Sequence, residues 1–169
     1  MALRPYIAAF RHTCLALAAT LGVSGCGYHS VSAYLDHIDT IRIPRVRNQT
    51  TIFELEEEMT TELQRQFGVL WNDGNDCRLD VIISDYRIEP LRYDVNNLAE
   101  QYRMSLRTTY EFHDNIERRL IASEDDFEFY RDFYVVTGRG EAPEDELTAR
   151  ANLVDELVQS LYNKLATRW

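Results

Sequence analysis

From Leu98 to Phe112 the chain alternates. Leu98, Tyr102, Met104, Leu106, Tyr110 and Phe112 share one parity, and Gln101, Arg103, Arg107, Thr109 and Glu111 share the other. Successive strand side chains point to opposite faces, so this run requires a long strand with one buried face and one wet face. Phe127, Phe129, Phe133 and Val135 make a similar stripe, with Tyr130 and Tyr134 on the opposite face. A turn around Asp114–Glu117 would pair the two as a hairpin. Upstream, Leu79, Val81 and Ile83 alternate, and Tyr86 and Ile88 continue on the other parity. A bulge between Ile83 and Tyr86 accounts for the switch.

The remaining segments supply cover for one face. Thr40–Val46 alternates as a strand, and Pro44 places it at an edge or ends it there. Arg47–Thr51 is a polar turn in which Thr50 or Thr51 could cap the next element. Leu55, Met59, Leu63 and Phe67 recur at helical spacing, and Glu54, Glu56, Glu57 and Glu58 suit the positive end of that helix's dipole. The stretch W-N-D-G-N-D at 71–76 is a loop. Pro143, Glu144, Asp145 and Glu146 open a second helix, with Leu147, Ala151, Val154, Val158, Leu161 and Leu165 on one face and Lys164 and Arg168 in its last turn. The order is β-α-β-β-β-α. It predicts an α+β two-layer sandwich, an about four-stranded, mainly antiparallel sheet with two helices on one face.

The N-terminus carries an address. Arg4 and Arg11 precede the apolar run CLALAATL, and Val23, Ser24 and Gly25 lead into Cys26. A positive start, a short apolar stretch and small residues at the cut are the layout of a secretory signal, too short to span a bilayer. The cysteine directly after the small pair resembles a bacterial lipoprotein signal, in which Cys26 receives a diacylglycerol and, after cleavage, an acyl (palmitate-type) chain on its new amine. An ordinary secreted signal cut near Gly25 is the alternative. The expected organisation is therefore a signal over 1–25, a lipidated tether over 26–37 and a single α+β domain over 38–169. Of the three cysteines, Cys14 leaves with the signal and Cys26 takes lipid, so Cys77 has no partner for an internal disulfide.

Charge and motifs narrow the function. Losing residues 1–25 removes two arginines and no acid, which makes the formal net charge of -10 more negative still. Such a surface argues against nucleic acid as a partner. The histidines at 12, 29, 37 and 113 are scattered, and neither a zinc-protease, thiol-pair or serine-hydrolase motif nor a phosphate loop is present. The acids at 54–58 fan around a helix axis as a solvated first turn rather than a metal site, and Asp125 and Asp126 fit a hairpin end or strand entry. The chain predicts no catalytic residue, no metal and no cofactor, and so no enzyme.

Several stretches together resemble the LptE family of lipopolysaccharide-assembly lipoproteins. Gly25-Cys26-Gly27-Tyr28 is similar to that family's mature start. I-R-I-P-R-V-R-N-Q-T at 41–50, running into L-E-E-E-M-T-T-E-L at 55–63, is similar to its strand, N-x-T turn and first helix. Pro90-Leu91-Arg92-Tyr93-Asp94, Glu100-Gln101-Tyr102-Arg103 and Tyr134-Val135-Val136 follow in the family's order. The resemblance implies an outer-membrane lipoprotein on the periplasmic face that sits inside a large β-barrel, LptD, and assists delivery of lipopolysaccharide. Gly27 is consistent with outer-membrane sorting. An anionic glycolipid calls for cations, and on so acidic a chain the candidates are Arg42, Arg45, Arg47, Arg92, Arg103 and Arg107. Tyr130 and Tyr134, opposite the buried stripe, are the candidates for contact with the barrel or another partner. The rival reading is a periplasmic lipoprotein adaptor for other envelope or secretion machinery.

Overall fold

A computed structural model describes residues 37–68 and 74–166. The signal segment, Cys26, the tether up to residue 36, Trp71 and Arg168 lie outside the described residues. In chain order the elements are β1 (Ile41–Arg42), β2 (Arg47–Asn48), α1 (Leu55–Gln66), β3 (Cys77–Tyr93), β4 (Ala99–Asp114), β5 (Arg119–Tyr134) and α2 (Glu146–Ala166). They form the α+β arrangement that the alternation requires, with a mixed five-stranded sheet. β3, β4 and β5 are antiparallel neighbours. β1 and β2 both lie parallel to β3, along its outer edge.

Pro44 accounts for the fifth strand. Proline has no amide hydrogen for a ladder, so the expected strand over Thr40–Val46 shrinks to Ile41–Arg42, and a second pair, Arg47–Asn48, forms beyond it in the stretch read as a polar turn. Side chains of α1 replace part of the missing ladder. The Val46 amide donates to Thr60 Oγ at 2.9 Å, and Gln64 Nε2 donates to the Ile43 carbonyl at 3.3 Å. Thr60 is buried, so its hydroxyl is a structural acceptor rather than a solvated group.

The core lies between the helices and the inward parity of the sheet. Leu79, Val81 and Ile83 of β3, and Met104, Leu106, Tyr110 and Phe112 of β4, meet Leu55, Met59, Leu63 and Phe67 from α1. Phe67 packs edge-on against Tyr162 of α2 at 5.0 Å between centroids, and Tyr110 does the same against Phe127 at 5.8 Å. The bulge falls between Ile83 and Asp85. Thr108, on the buried parity of β4, donates to the Phe127 carbonyl at 3.2 Å.

Four local expectations are corrected. Neither Thr50 nor Thr51 caps α1; Glu54 does so in left-handed conformation, with φ 65° and no side-chain cap bond. The residue that ties the preceding turn is Asn48. Its Oδ1 accepts from the Thr50 amide at 2.9 Å and the Thr50 hydroxyl at 2.8 Å, while its Nδ2 donates to the Ile52 carbonyl at 2.8 Å and Glu56 at 3.0 Å. On α2, Leu147 and Ala151 are exposed, and Ala149 and Leu153 face the core instead, because fourfold steps back from Leu165 through Leu161 and Leu157 lead to them. Asp145 caps this helix through the Thr148 amide at 2.7 Å. Leu98 and Val135 are exposed: one sits in the turn before β4 and the other follows the end of β5, both beyond the helices' cover. Asp125 and Asp126 lie within β5, where its pairing with β4 shifts between Thr108 and Tyr110, and not at a hairpin end.

The β4–β5 turn is built on Asp114, which is 1% exposed. Its Oδ1 accepts the amides of Ile116 at 3.0 Å and Glu117 at 2.9 Å. Its Oδ2 meets His37 at 2.8 Å and Arg119 at 3.2 Å. Burial pushes the carboxyl upward, but the Glu117 amide, His37 and the Ile116 amide outweigh it and hold the group below the ordinary aspartate value.

Two predictions follow from these contacts. Thr60→Val should lower stability to urea by about 1–3 kcal/mol, because the buried Val46 amide loses its acceptor, whereas exposed Thr51→Val should change it by less than about 0.5 kcal/mol. A depressed folded pKa means that the Asp114 contribution is present above the unfolded value near 4 and is lost as pH falls through the lower folded value. Asp114→Asn should therefore be less stable than the native chain at pH 7, with the gap narrowing below about pH 4. Urea midpoints across that range measure both.

Candidate functional site

With the helices on one side, the described residues leave the opposite face of the sheet open, and its residues come from the second parity of β3, β4 and β5. The strand registers place Glu89, Arg103 and Asp132 in one row, Arg87, Ser105 and Tyr130 in the next, and Asp85, Arg107 and Glu128 in the third. Arg103 grips Asp132 with two bonds of 2.7 and 2.9 Å and lies 4.3 Å over the Tyr130 ring. Arg107 approaches Glu128 at 3.5 Å and Asp126 at 3.9 Å. Arg87 meets Asp85 at 2.7 Å. Cross-strand pairs of opposite charge stabilise a sheet surface, and here they also hold its arginines in fixed positions.

This geometry divides the arginines singled out in the sequence. Arg103 and Arg107 are committed to carboxylates on β5. Arg42, Arg45, Arg47 and Arg92 are exposed and are not brought together with them. Arg42, Arg45 and Arg47 gather along the outer edge of β3, whereas Arg92 sits near the β3–β4 turn beside Tyr93 and Asp94. Arg45 meets Glu56 at 3.2 Å. Tyr130 is 59% exposed on the open face, and Tyr134 is half-buried in register with Gln101 on the same face. The two tyrosines are therefore neighbours of the arginine lattice, as the parity required.

Sequence reasoning missed two features. Arg78 belongs with the edge arginines, since the parallel register sets Arg42 directly beside it; a partner strand is invisible in composition, so only the pairing reveals it. The second is an apolar end. The last residues of β3 and the turn after it leave Leu91, Tyr93, Val95 and Leu98 exposed, with Val95 wholly in solvent. Asp94 closes this turn by accepting the amides of Asn96 at 2.8 Å and Leu98 at 2.7 Å. The Leu98 amide bond chiefly holds the Asp94 carboxyl below its usual range.

Two groups bear on chemistry. Cys77 is buried, its thiol 3.4 Å from the Thr40 carbonyl, and burial pushes its pKa up to about 12. A thiol so disposed is a packing group and not a nucleophile. His37, Asp114 and Glu117 bring three possible metal-ligand atoms within 4.8 Å of one another. The Arg119 guanidinium already lies against both acids, at 3.2 and 2.8 Å, and does the work of a cation there.

Comparisons with known proteins agree with this architecture. A comparison with curated proteins finds no match. Among solved structures, a putative lipoprotein from Caulobacter crescentus superposes with a TM-score of 0.53 at 8% identity, covering 81% of this chain and 96% of that one. The hypothetical protein CT253 from Chlamydia trachomatis gives 0.52 at 9% identity over 75% and 94% of the two chains. An uncharacterized lipoprotein B from Nitrosomonas europaea gives 0.50 at 10% identity over 76% and 82%. At these identities the likeness is one of fold. The sequence itself carries the family: the model of the lipopolysaccharide-assembly family LptE matches residues 38–165, which among the described residues runs from the first buried one, Ile38, to the last, Leu165. This chain belongs to the LptE family of lipopolysaccharide-assembly lipoproteins.

Proposed function

We propose that this protein is anchored through acylated Cys26 to the periplasmic face of the outer membrane, binds a large LptD-like β-barrel there, and assists lipopolysaccharide delivery by positioning rather than by catalysis. The observation that carries the reading is the family match over 38–165, which spans both layers of the sandwich. Its geometry supports the assignment. The chain reaches the domain at His37, held on Asp114 at one end of the sheet. The β3–β4 turn lies at the other end of strands 17 and 16 residues long, about 50 Å away at ~3.3 Å per residue. The open face and the apolar turn are exposed on the described domain and so available to a partner.

Tyr130 and Tyr134 are the proposed barrel contacts. Amphipathic aromatics on an exposed, charge-ordered face are typical interface anchors. Tyr130→Ala and Tyr134→Ala should reduce recovery of the barrel from detergent-solubilised envelopes several-fold, with thermal stability nearly unchanged because both rings lie outside the core. Undiminished recovery would remove the tyrosines from the interface, and no co-purifying barrel with the native chain would overturn the barrel reading. Mass spectrometry of the mature N-terminus checks the anchor: the first residue should be Cys26 bearing acyl chains, and an unmodified Cys26 refutes it.

A further inference from the structure

The sheet order β1-β3-β4-β5 leaves the outer edge of β5 without a partner strand among the described residues. In an antiparallel pair, successive residues alternate between bonding the neighbouring strand and pointing away from it. The Val135 amide donates to the Glu100 carbonyl at 3.0 Å, so the odd-numbered residues back to Phe127 bond β4. The amides and carbonyls of Glu128, Tyr130 and Asp132 therefore point outward. One rung of this edge is already filled, since the Glu144 amide donates to the outward Tyr134 carbonyl at 2.8 Å. Asp145 caps α2 directly afterwards, and the chain itself goes no further along the edge. At the other end the pairing shifts between Thr108 and Tyr110, and Asp125 and Asp126 bulge out of register. Glu128–Asp132 is thus a regular stretch of free edge between two stops, the arrangement that pairs with an incoming strand unless something blocks it.

Charge selects the occupant. β5 carries five acids, Glu124, Asp125, Asp126, Glu128 and Asp132, against two arginines, Arg119 and Arg131. Arg103 holds Asp132, but Arg107 alone faces both Glu128 at 3.5 Å and Asp126 at 3.9 Å, and Asp125 makes no ion pair among the described residues. A second copy of this edge fits badly. Paired antiparallel about Tyr130 it sets Glu128 opposite Asp132, about Phe129 it sets Asp126 opposite Asp132, and about Arg131 it sets that arginine opposite itself. A basic segment meets the reverse situation. Its cations would lie beside Glu128 and Asp132 on the open face, and its alternate residues beside half-buried Phe129 on the other.

We propose that the β5 edge from Glu128 to Asp132 takes an extended segment of another polypeptide as an added strand, one in which basic and apolar residues alternate. The contact uses backbone groups and stands apart from the tyrosine side-chain contacts proposed above. A closed barrel has no free strand edge to offer, so the segment lies outside any barrel wall.

The test uses the full lipoprotein in neutral-detergent micelles and a capped peptide of about eight residues that alternates lysine and valine. The peptide should bind by calorimetry. Hydrogen exchange should slow at the Glu128, Tyr130 and Asp132 amides and stay unchanged at Phe129 and Arg131, which already bond β4. Two N-methylated versions, one at the lysines and one at the valines, keep the charge. One of them blocks the edge-facing amides and should bind about tenfold or more weakly, whereas the other should match the parent. Equal binding of all three would mean charge attraction alone and overturns the added strand. A glutamate–valine peptide that binds as well overturns the basic partner. Glu128→Pro removes an outward amide without touching the β4 ladder, and it should weaken the lysine peptide several-fold beyond Glu128→Gln, which loses only the charge. No difference between the two removes the site, with unfolding temperatures checking that both fold. Slowed exchange at the same three amides in concentrated protein without peptide would seat a second copy there and overturn the assignment.

Discussion

One constraint organises this molecule: among the described residues, the three long antiparallel strands of the sheet are covered on one face only. Met104, Leu106, Tyr110 and Phe112 point into the helices, and every intervening residue of β4 must therefore meet water or another polar group. Thr108, on the inward parity, is tolerated because the Phe127 carbonyl takes its hydroxyl. On the outward side the same geometry brings arginines of β4 opposite acids of β5, so the wet face becomes an ordered array instead of a loose coat of charge. Burial on one side and charge pairing on the other are two results of the same period of two.

The edge of that sheet follows a different rule. Pro44 stops the ladder, so the chain crosses the gap as irregular backbone whose polar groups need partners. α1 provides them from Thr60 and Gln64, which ties this helix to the edge in addition to the apolar stripe that holds it against the core. The same interruption opens a cleft beside β3 and leaves its arginines at a rim, not in a continuous cross-strand array. Local backbone chemistry at one residue thus shapes both a structural joint and a surface.

Much of the fold was readable in the residues because periodicity reports which side of an element is buried. The stripe Leu55, Met59, Leu63, Phe67 is buried throughout, the bulge after Ile83 lies where the parity changes, and the hairpin turns at Asp114. Errors fell where burial depends on how far the cover extends. Leu98 and Val135 have the right parity but lie beyond the helices, and Leu147 sits in the first turn of α2, on the far side from Ala149. Turn chemistry was harder: Asn48 rather than a threonine organises the approach to α1, because an amide can donate and accept at once. For the candidate site, the face carrying Tyr130 followed from parity alone. That Arg78 stands beside Arg42 did not, since parallel register between β1 and β3 is set by the crossover through α1 and leaves no local mark.

Charge pairing also bears on how such a surface recognises a partner. An arginine fixed by a carboxylate has already lost its side-chain freedom and part of its hydration, so docking against Arg103 or Arg107 costs less ordering than docking against a free side chain. It also contributes less net attraction, because its charge is locally cancelled. The open face is thus suited to shape and register, with Tyr130 as the apolar element lying against Arg103. At the Pro44 edge, Arg42 and Arg47 are exposed and make no ion pair among the described residues, so their charge reaches an anion over about a Debye length.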